Sequence, residues 1–131
     1  MNIKNIIYWG ARLVAAIIMI QTLYFKFTAS EESVYIFTTV GMEPWGRYGI
    51  GIAELIASVL LLVSATAWLG AVLAFGIMAG AIVMHLAILG IEVKDDGGQL
   101  FIYALLVLVS AVFIMVKNKK EIVSFIEKIN R

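Results

Sequence analysis

Four apolar runs, at residues 6–27, 44–64, 68–89 and 100–116, are separated by short polar intervals. Apolar side chains fill every face of a helix drawn through them, and none shows the period of two expected of a half-buried strand. Each run is close to the about 17–25 residues with which an α-helix crosses the hydrocarbon core of a bilayer. A membrane β-barrel would need segments of about ten residues alternating apolar and polar. The pattern therefore predicts an all-α integral membrane four-helix bundle, a single domain over 1–131. The first run is too long for the core of a signal peptide, and Arg12 interrupts it.

The intervals carry further elements. Thr28-Ala29-Ser30-Glu31 reads as a capping box, and Val34, Ile36, Phe37 and Val40 supply an apolar side, so a short interfacial helix is expected over 30–40. Gly41 suits its C-terminal cap and Pro44 the first turn of the second span. Tyr35, Trp45 and Tyr48 fall where an outer aromatic belt would lie. The second and third spans are so closely joined that they form a hairpin. Small residues at Gly70, Ala74, Gly76, Ala79, Gly80 and Ala81 are expected to bring the third span close to its neighbours. Asp95-Asp96-Gly97-Gly98 is a turn signal. In the tail, 117–131, Ile122, Phe125, Ile126 and Ile129 share one face of an amphipathic helix whose lysines suit anionic lipid.

Composition adds little to this, with 63% hydrophobic and 15% charged residues, but the placement of charge adds orientation. Lys4 precedes the first span; Lys117, Lys119, Lys120, Lys128 and Arg131 follow the last, whereas the other end holds most of the acids. The positive-inside rule then makes both termini cytoplasmic. These basic residues lie beside the membrane and give no support to a nucleic-acid partner. The chain has no cysteine, which excludes disulfides, thiol catalysis and thiolate-held clusters. A single histidine excludes a bis-histidine haem, and no metal site is expected.

Chemistry must then reside in the few polar residues inside the spans: Arg12, Gln21, Glu54, His85 and Tyr103. At about 1.5 Å per residue, Glu54 lies roughly 15 Å and Arg12 roughly 22 Å below the outer surface. That offset is within reach of an arginine side chain, and an isolated charge costs about 3 kcal/mol on insertion scales, so an Arg12–Glu54 ion pair is expected. Such a pair either fixes helix register or serves a ligand. Arg47, Gly51, Glu54 and Ser58 form a polar and small stripe on one face of the second span. Lys26, Arg47, His85, Gln99 and Tyr103 converge on the outer half above Glu54 and outline a cavity for a polar head with an apolar tail. Glu54 and His85 are its candidate proton-exchanging groups; Arg12, Lys26, Arg47, Gln99 and Tyr103 are its candidate ligand contacts. Gln21, opposite Arg12 on its helix, is read as a helix–helix contact.

Arg12-Leu13-Val14-Ala15-Ala16, Lys26, Gly41-Met42-Glu43-Pro44 and Gly51-Ile52-Ala53-Glu54 together resemble the DoxX family of small four-helix membrane proteins. Across the whole chain the layout of spans is similar as well. The resemblance implies a bacterial-type plasma-membrane protein, with Arg12, Lys26 and Glu54 as the positions carried over. Some relatives are associated with quinone-linked oxidation of sulfur compounds, others with protein assembly or redox homeostasis. The expectation is a membrane subunit binding a quinone or similar lipophilic molecule, accessory to an oxidoreductase that is its redox partner. The alternative is a non-catalytic scaffold or assembly factor; a homo-oligomer is open under either.

Overall fold

The computed structural model describes residues 2–130. Helix α1 spans Ile3–Phe27, α2 Glu31–Thr39, α3 Trp45–Leu62, α4 Ala67–Met84, α5 Gln99–Lys117 and α6 Lys119–Ile129. A 3₁₀ turn, Ser64–Thr66, joins α3 to α4, and α4 continues into a π-helical turn, His85–Leu89. Among the described residues there is no strand. Four helices are long and apolar enough to cross a membrane: α1, α3, α4 with its flanking turns, and α5.

These spans form a closed ring in which α1 packs on α3, α3 on α4, α4 on α5 and α5 on α1. The centre is filled by small and medium side chains, among them Ala15, Met19, Ala57, Leu61, Ala74, Val107 and Ile114. Large apolar residues such as Ile17, Val59, Phe75, Leu86 and Val109 face outward. A helical bundle that satisfies its backbone internally and turns its apolar side chains outward is suited to lipid. The molecule is a multi-pass membrane protein.

Helix ends explain the shifts from the expected boundaries. Asn2 accepts a hydrogen bond from the Asn5 amide at 2.9 Å and starts α1 before the apolar run. At the start of α2 the cap is Ser30, which accepts from the Ser33 amide at 3.2 Å, and not Thr28 of the expected capping box. The Thr28 hydroxyl turns back to the Tyr24 carbonyl at 2.6 Å. At the other end of α2, Met42 donates to Phe37 and Gly41 to Thr38, with Gly41 at φ +79°. This is the Schellman arrangement, which requires the left-handed residue that glycine supplies. Val63 is extended and ends α3 before Ser64. Asn118 separates α5 from α6 and donates to the Tyr8 hydroxyl and the Ile114 carbonyl, both at 2.8 Å. Helix α6 rests on the hairpin through Phe125 and Trp68, whose rings are 5.5 Å apart; Arg131 lies outside the described residues. The bundle thus has a terminal end, with Tyr8, Ser64 and Asn118, and a loop end, with α2 and the 90–98 connection.

The small residues of α4 divide into two groups. A Cβ on Gly70 would lie 2.7 Å from the Leu61 nitrogen and 2.9 Å from the Ala57 oxygen, so glycine there permits the tight α3–α4 crossing. Nothing lies within 4 Å of a Cβ on Gly76 or Gly80. The expected close packing holds near the hairpin and gives way to open space towards the loop end.

Candidate functional site

That space is a cavity of about 640 Å³ within the loop-end half of the bundle. All four spans and α2 contribute to its wall. Ile18, Ile36, Phe37, Ile50, Ile77 and Met84 make most of it apolar, while Gln21, Thr22, Lys26, Glu54, His85 and Tyr103 supply polar atoms.

Glu54 is buried at the middle of α3. Its partner is Lys26, whose Nζ lies 2.9 Å from Oε1, and not Arg12. Thr22, one turn before Lys26, places its hydroxyl 3.4 Å from Glu54 Oε2 and 3.4 Å from Lys26 Nζ. The same hydroxyl donates to the Met19 carbonyl at 2.8 Å. Although Lys26 neutralises the carboxylate, no well-directed hydrogen bond reaches Oε1 among the described residues. The lysine comes from the last turn of α1 and extends down the bundle, as long cationic side chains do at helix ends.

Arg12 lies at the terminal end. Its Nε donates to the Leu61 carbonyl at 2.6 Å, its Nη1 to Ser64 Oγ at 3.3 Å, and its guanidinium stacks over Trp9 at 3.7 Å from the ring centroid. The negative end of the α3 dipole and an aromatic face stabilise this cation in place of a carboxylate. Depth alone puts the two side chains within reach at mid-bundle, but the unsatisfied carbonyls at the end of α3 lie nearer to Arg12.

Arg47 is likewise placed away from the cavity. Its Nε contacts both Glu43 oxygens, at 2.9 and 3.0 Å, Nη2 lies 2.8 Å from Glu43 Oε1, and Cζ sits 4.4 Å from the Tyr48 ring centroid. Nη1 donates to the Lys26 carbonyl at 2.5 Å. Arg47 therefore caps α1 and fixes the backbone from which Lys26 reaches Glu54. The polar stripe expected on α3 is its buried face: Arg47, Gly51, Glu54 and Ser58 are all buried.

On the opposite wall, His85 opens the π turn and is buried against the edge of Phe101, 5.5 Å away. Its Nδ1 donates to the Gly90 carbonyl at 2.9 Å, so Nε2 carries the lone pair of the neutral ring. Gln99 Nε2 donates to the Tyr103 hydroxyl at 3.1 Å, and both residues line the cavity. Gln21, expected to make a helix–helix contact, lines the cavity as well. At the rim, burial raises the Glu32 carboxyl above its usual range, nearby Asp96 adds to this and Lys94 opposes it. For Asp96, burial acts upward but is outweighed by the amides of Val93, Gly98 and Leu100, so that it stays below the usual range.

The cavity thus unites Glu54, Lys26, His85, Gln99 and Tyr103, and leaves Arg12 and Arg47 outside. Thr22 and the α2 residues Glu32 and Ser33 were not foreseen. Thr22 had a signal, since it lies four residues before Lys26 and so on the same helix face; α2 had none, because its packing depends on tertiary contacts.

The DoxX family model matches residues 8–87. The chain belongs to the DoxX family. No curated protein and no solved structure matches it. Within the DoxX match lie Arg12, Thr22, Lys26, Glu54 and His85, whereas Gln99 and Tyr103, on α5, come after it.

Proposed function

We propose that this DoxX protein binds a quinone or similar lipophilic small molecule in the cavity and serves as the membrane subunit of a redox partner enzyme. The observation that carries the reading is a mostly apolar cavity with a pair of part-buried Lys26 and buried Glu54 at its floor and His85, Gln99 and Tyr103 on the facing wall. The volume is within the about 300–1,000 Å³ of small-molecule sites. Two groups of polar atoms on facing walls suit a head bearing two oxygens. When bound, a quinone accepts two electrons and two protons in becoming a quinol.

The chain's own residues bind, orient and supply protons. Lys26 Nζ is the donor beside a head oxygen, and Thr22 and Glu54 hold that ammonium in place. Glu54, sharing its charge with Lys26, can pass a proton within the cavity, and His85 can do so on the other wall through Nε2. With no cysteine in the chain, thiol chemistry and the source of electrons belong to the partner. The basic termini support a cytoplasmic location for both ends in a bacterial-type plasma membrane.

The test is mass spectrometry of lipid extracts from natively purified wild type and Glu54→Gln protein. A stoichiometric quinone retained by wild type and lost from the variant is expected. Ordinary phospholipid alone in both would overturn the reading and favour a scaffold in which the buried pair serves only packing.

A further inference from the structure

Helix α6 lies at the end of the bundle opposite the cavity. It starts just after α5 ends at Lys117, and Asn118, bonded to Tyr8 and to the Ile114 carbonyl, holds the bend between them. From there α6 runs back to the first turn of α4, where Phe125 meets Trp68 with ring centroids 5.5 Å apart. A helix tied both to the end of α5 and to the start of α4 lies along the terminal face of the bundle instead of prolonging a span. Its sides are unlike. Val123, Phe125, Ile126 and Ile129 are exposed, a large apolar surface for a helix of 11 residues. Lys120, Ser124 and Lys128, each one turn from the next, share another side. With Trp68, Glu121 and Phe125 they line a shallow groove of about 360 Å³. Two ammonium groups stand there against one carboxylate, and neither lysine makes an ion pair among the described residues.

We infer that this groove holds the headgroup phosphate of an anionic phospholipid from the leaflet at the terminal end, with α6 lying in the membrane interface. Two features identify the occupant. The exposed apolar residues of α6 follow Val112 and Val116, which face outward on the last turns of α5, so the acyl boundary that covers the span is at hand to cover the helix. The charge is complementary as well: Lys117, Lys119, Lys120 and Lys128 outnumber Glu121 and Glu127. Lysine ammonium groups and the Ser124 hydroxyl are donors, and phosphate oxygens accept from them. Trp68, half-buried on the first turn of α4, adds the amphipathic ring that suits headgroup depth. This site is independent of the cavity and of what the cavity binds.

The experiment titrates detergent-purified protein with phosphatidylglycerol and with phosphatidylcholine of the same acyl chains, and counts bound lipid by native mass spectrometry. Wild type is expected to bind phosphatidylglycerol about tenfold more tightly or better, and Lys120→Gln/Lys128→Gln to lose that preference. Lys117→Gln/Lys119→Gln removes the same charge outside the groove and is expected to weaken binding by no more than about threefold. Equal weakening in both double variants, or no preference in wild type, would overturn the site. Because the chain has no cysteine, Ile126→Cys and Glu127→Cys can each carry a single nitroxide in nanodiscs containing phosphatidylglycerol. The label at 126 is expected to be reached by oxygen and shielded from a water-soluble nickel chelate, and the label at 127 the reverse. Equal access at both positions would overturn the interfacial placement of α6. Dipolar broadening between labels at 126 would overturn it too, and assign the face to a second copy of the chain.

Discussion

Lys26 Nζ lies 2.9 Å from Glu54 Oε1, across the α1–α3 contact and inside the apolar half of the bundle. The pair joins two spans, and either charge alone would be stranded there. Removing one partner of a buried pair costs about 3–5 kcal/mol, whereas replacing both by neutral groups of similar size is often close to neutral. Lys26→Met should therefore unfold at a clearly lower temperature than wild type, and Lys26→Met/Glu54→Gln should recover much of the loss. A double-mutant cycle of thermal unfolding in detergent checks this; additive losses would show that the two side chains are not coupled.

Arg12 serves the other end of the molecule. Through the Leu61 carbonyl, Ser64 and Trp9 it holds α1 to the α3–α4 hairpin. Arg12→Lys keeps the charge but loses the planar stacking and the forked donors. It should cost about 1–3 kcal/mol of stability and leave ligand retention unchanged, whereas Glu54→Gln should lose the ligand. Loss of ligand from folded Arg12→Lys protein would place this arginine in the binding machinery.

The four spans were legible because lipid imposes a length and a composition that the chain displays without interruption. So was the convergence of Lys26, Glu54, His85 and Tyr103, which follows from counting residues down each helix. The partner of Glu54 was not legible in this way. Depth alone admits Arg12, Arg47 and Lys26, and the choice was made by competing acceptors: the α3 carboxyl terminus for Arg12, Glu43 and the Lys26 carbonyl for Arg47. Gly70, Gly76 and Gly80 show the same limit. Identical residues on one helix close a contact in one place and open a cavity in the other.

That difference is itself testable. Gly70→Ala places a methyl 2.7 Å from the Leu61 nitrogen and 2.9 Å from the Ala57 oxygen, backbone atoms that cannot yield without separating α3 from α4. It should lower stability by about 1–3 kcal/mol, the range for overpacked sites. Gly76→Ala meets nothing and gains helix propensity, so it should be stabilising by about 0.5–1 kcal/mol. Thermal unfolding of the two proteins under identical detergent conditions is the measurement, and the shifts should have opposite signs.

The rim of the cavity responds to pH through two carboxyls of opposite sign. Asp96 caps the start of α5, accepting from the Gly98 amide at 2.8 Å and the Leu100 amide at 3.3 Å, and also accepts from Val93 at 3.0 Å. Its folded value lies below the ordinary one. Its contribution is therefore complete above the unfolded value and is lost as pH falls through the folded one. Glu32 is raised, first by burial and then by Asp96. Its effect on stability is therefore most favourable below the unfolded value and is lost as pH rises through the folded one. Asp96→Ala should cost about 1 kcal/mol at neutral pH, as loss of a cap does, and should flatten the stability profile below the ordinary aspartate range. Glu32→Gln should instead remove the decline at higher pH, between the ordinary glutamate value and the raised one, and leave the acid limb in place. Stability against pH for both variants tests the two signs separately; an unchanged acid limb in Asp96→Ala would mean that the loop is held without its carboxylate.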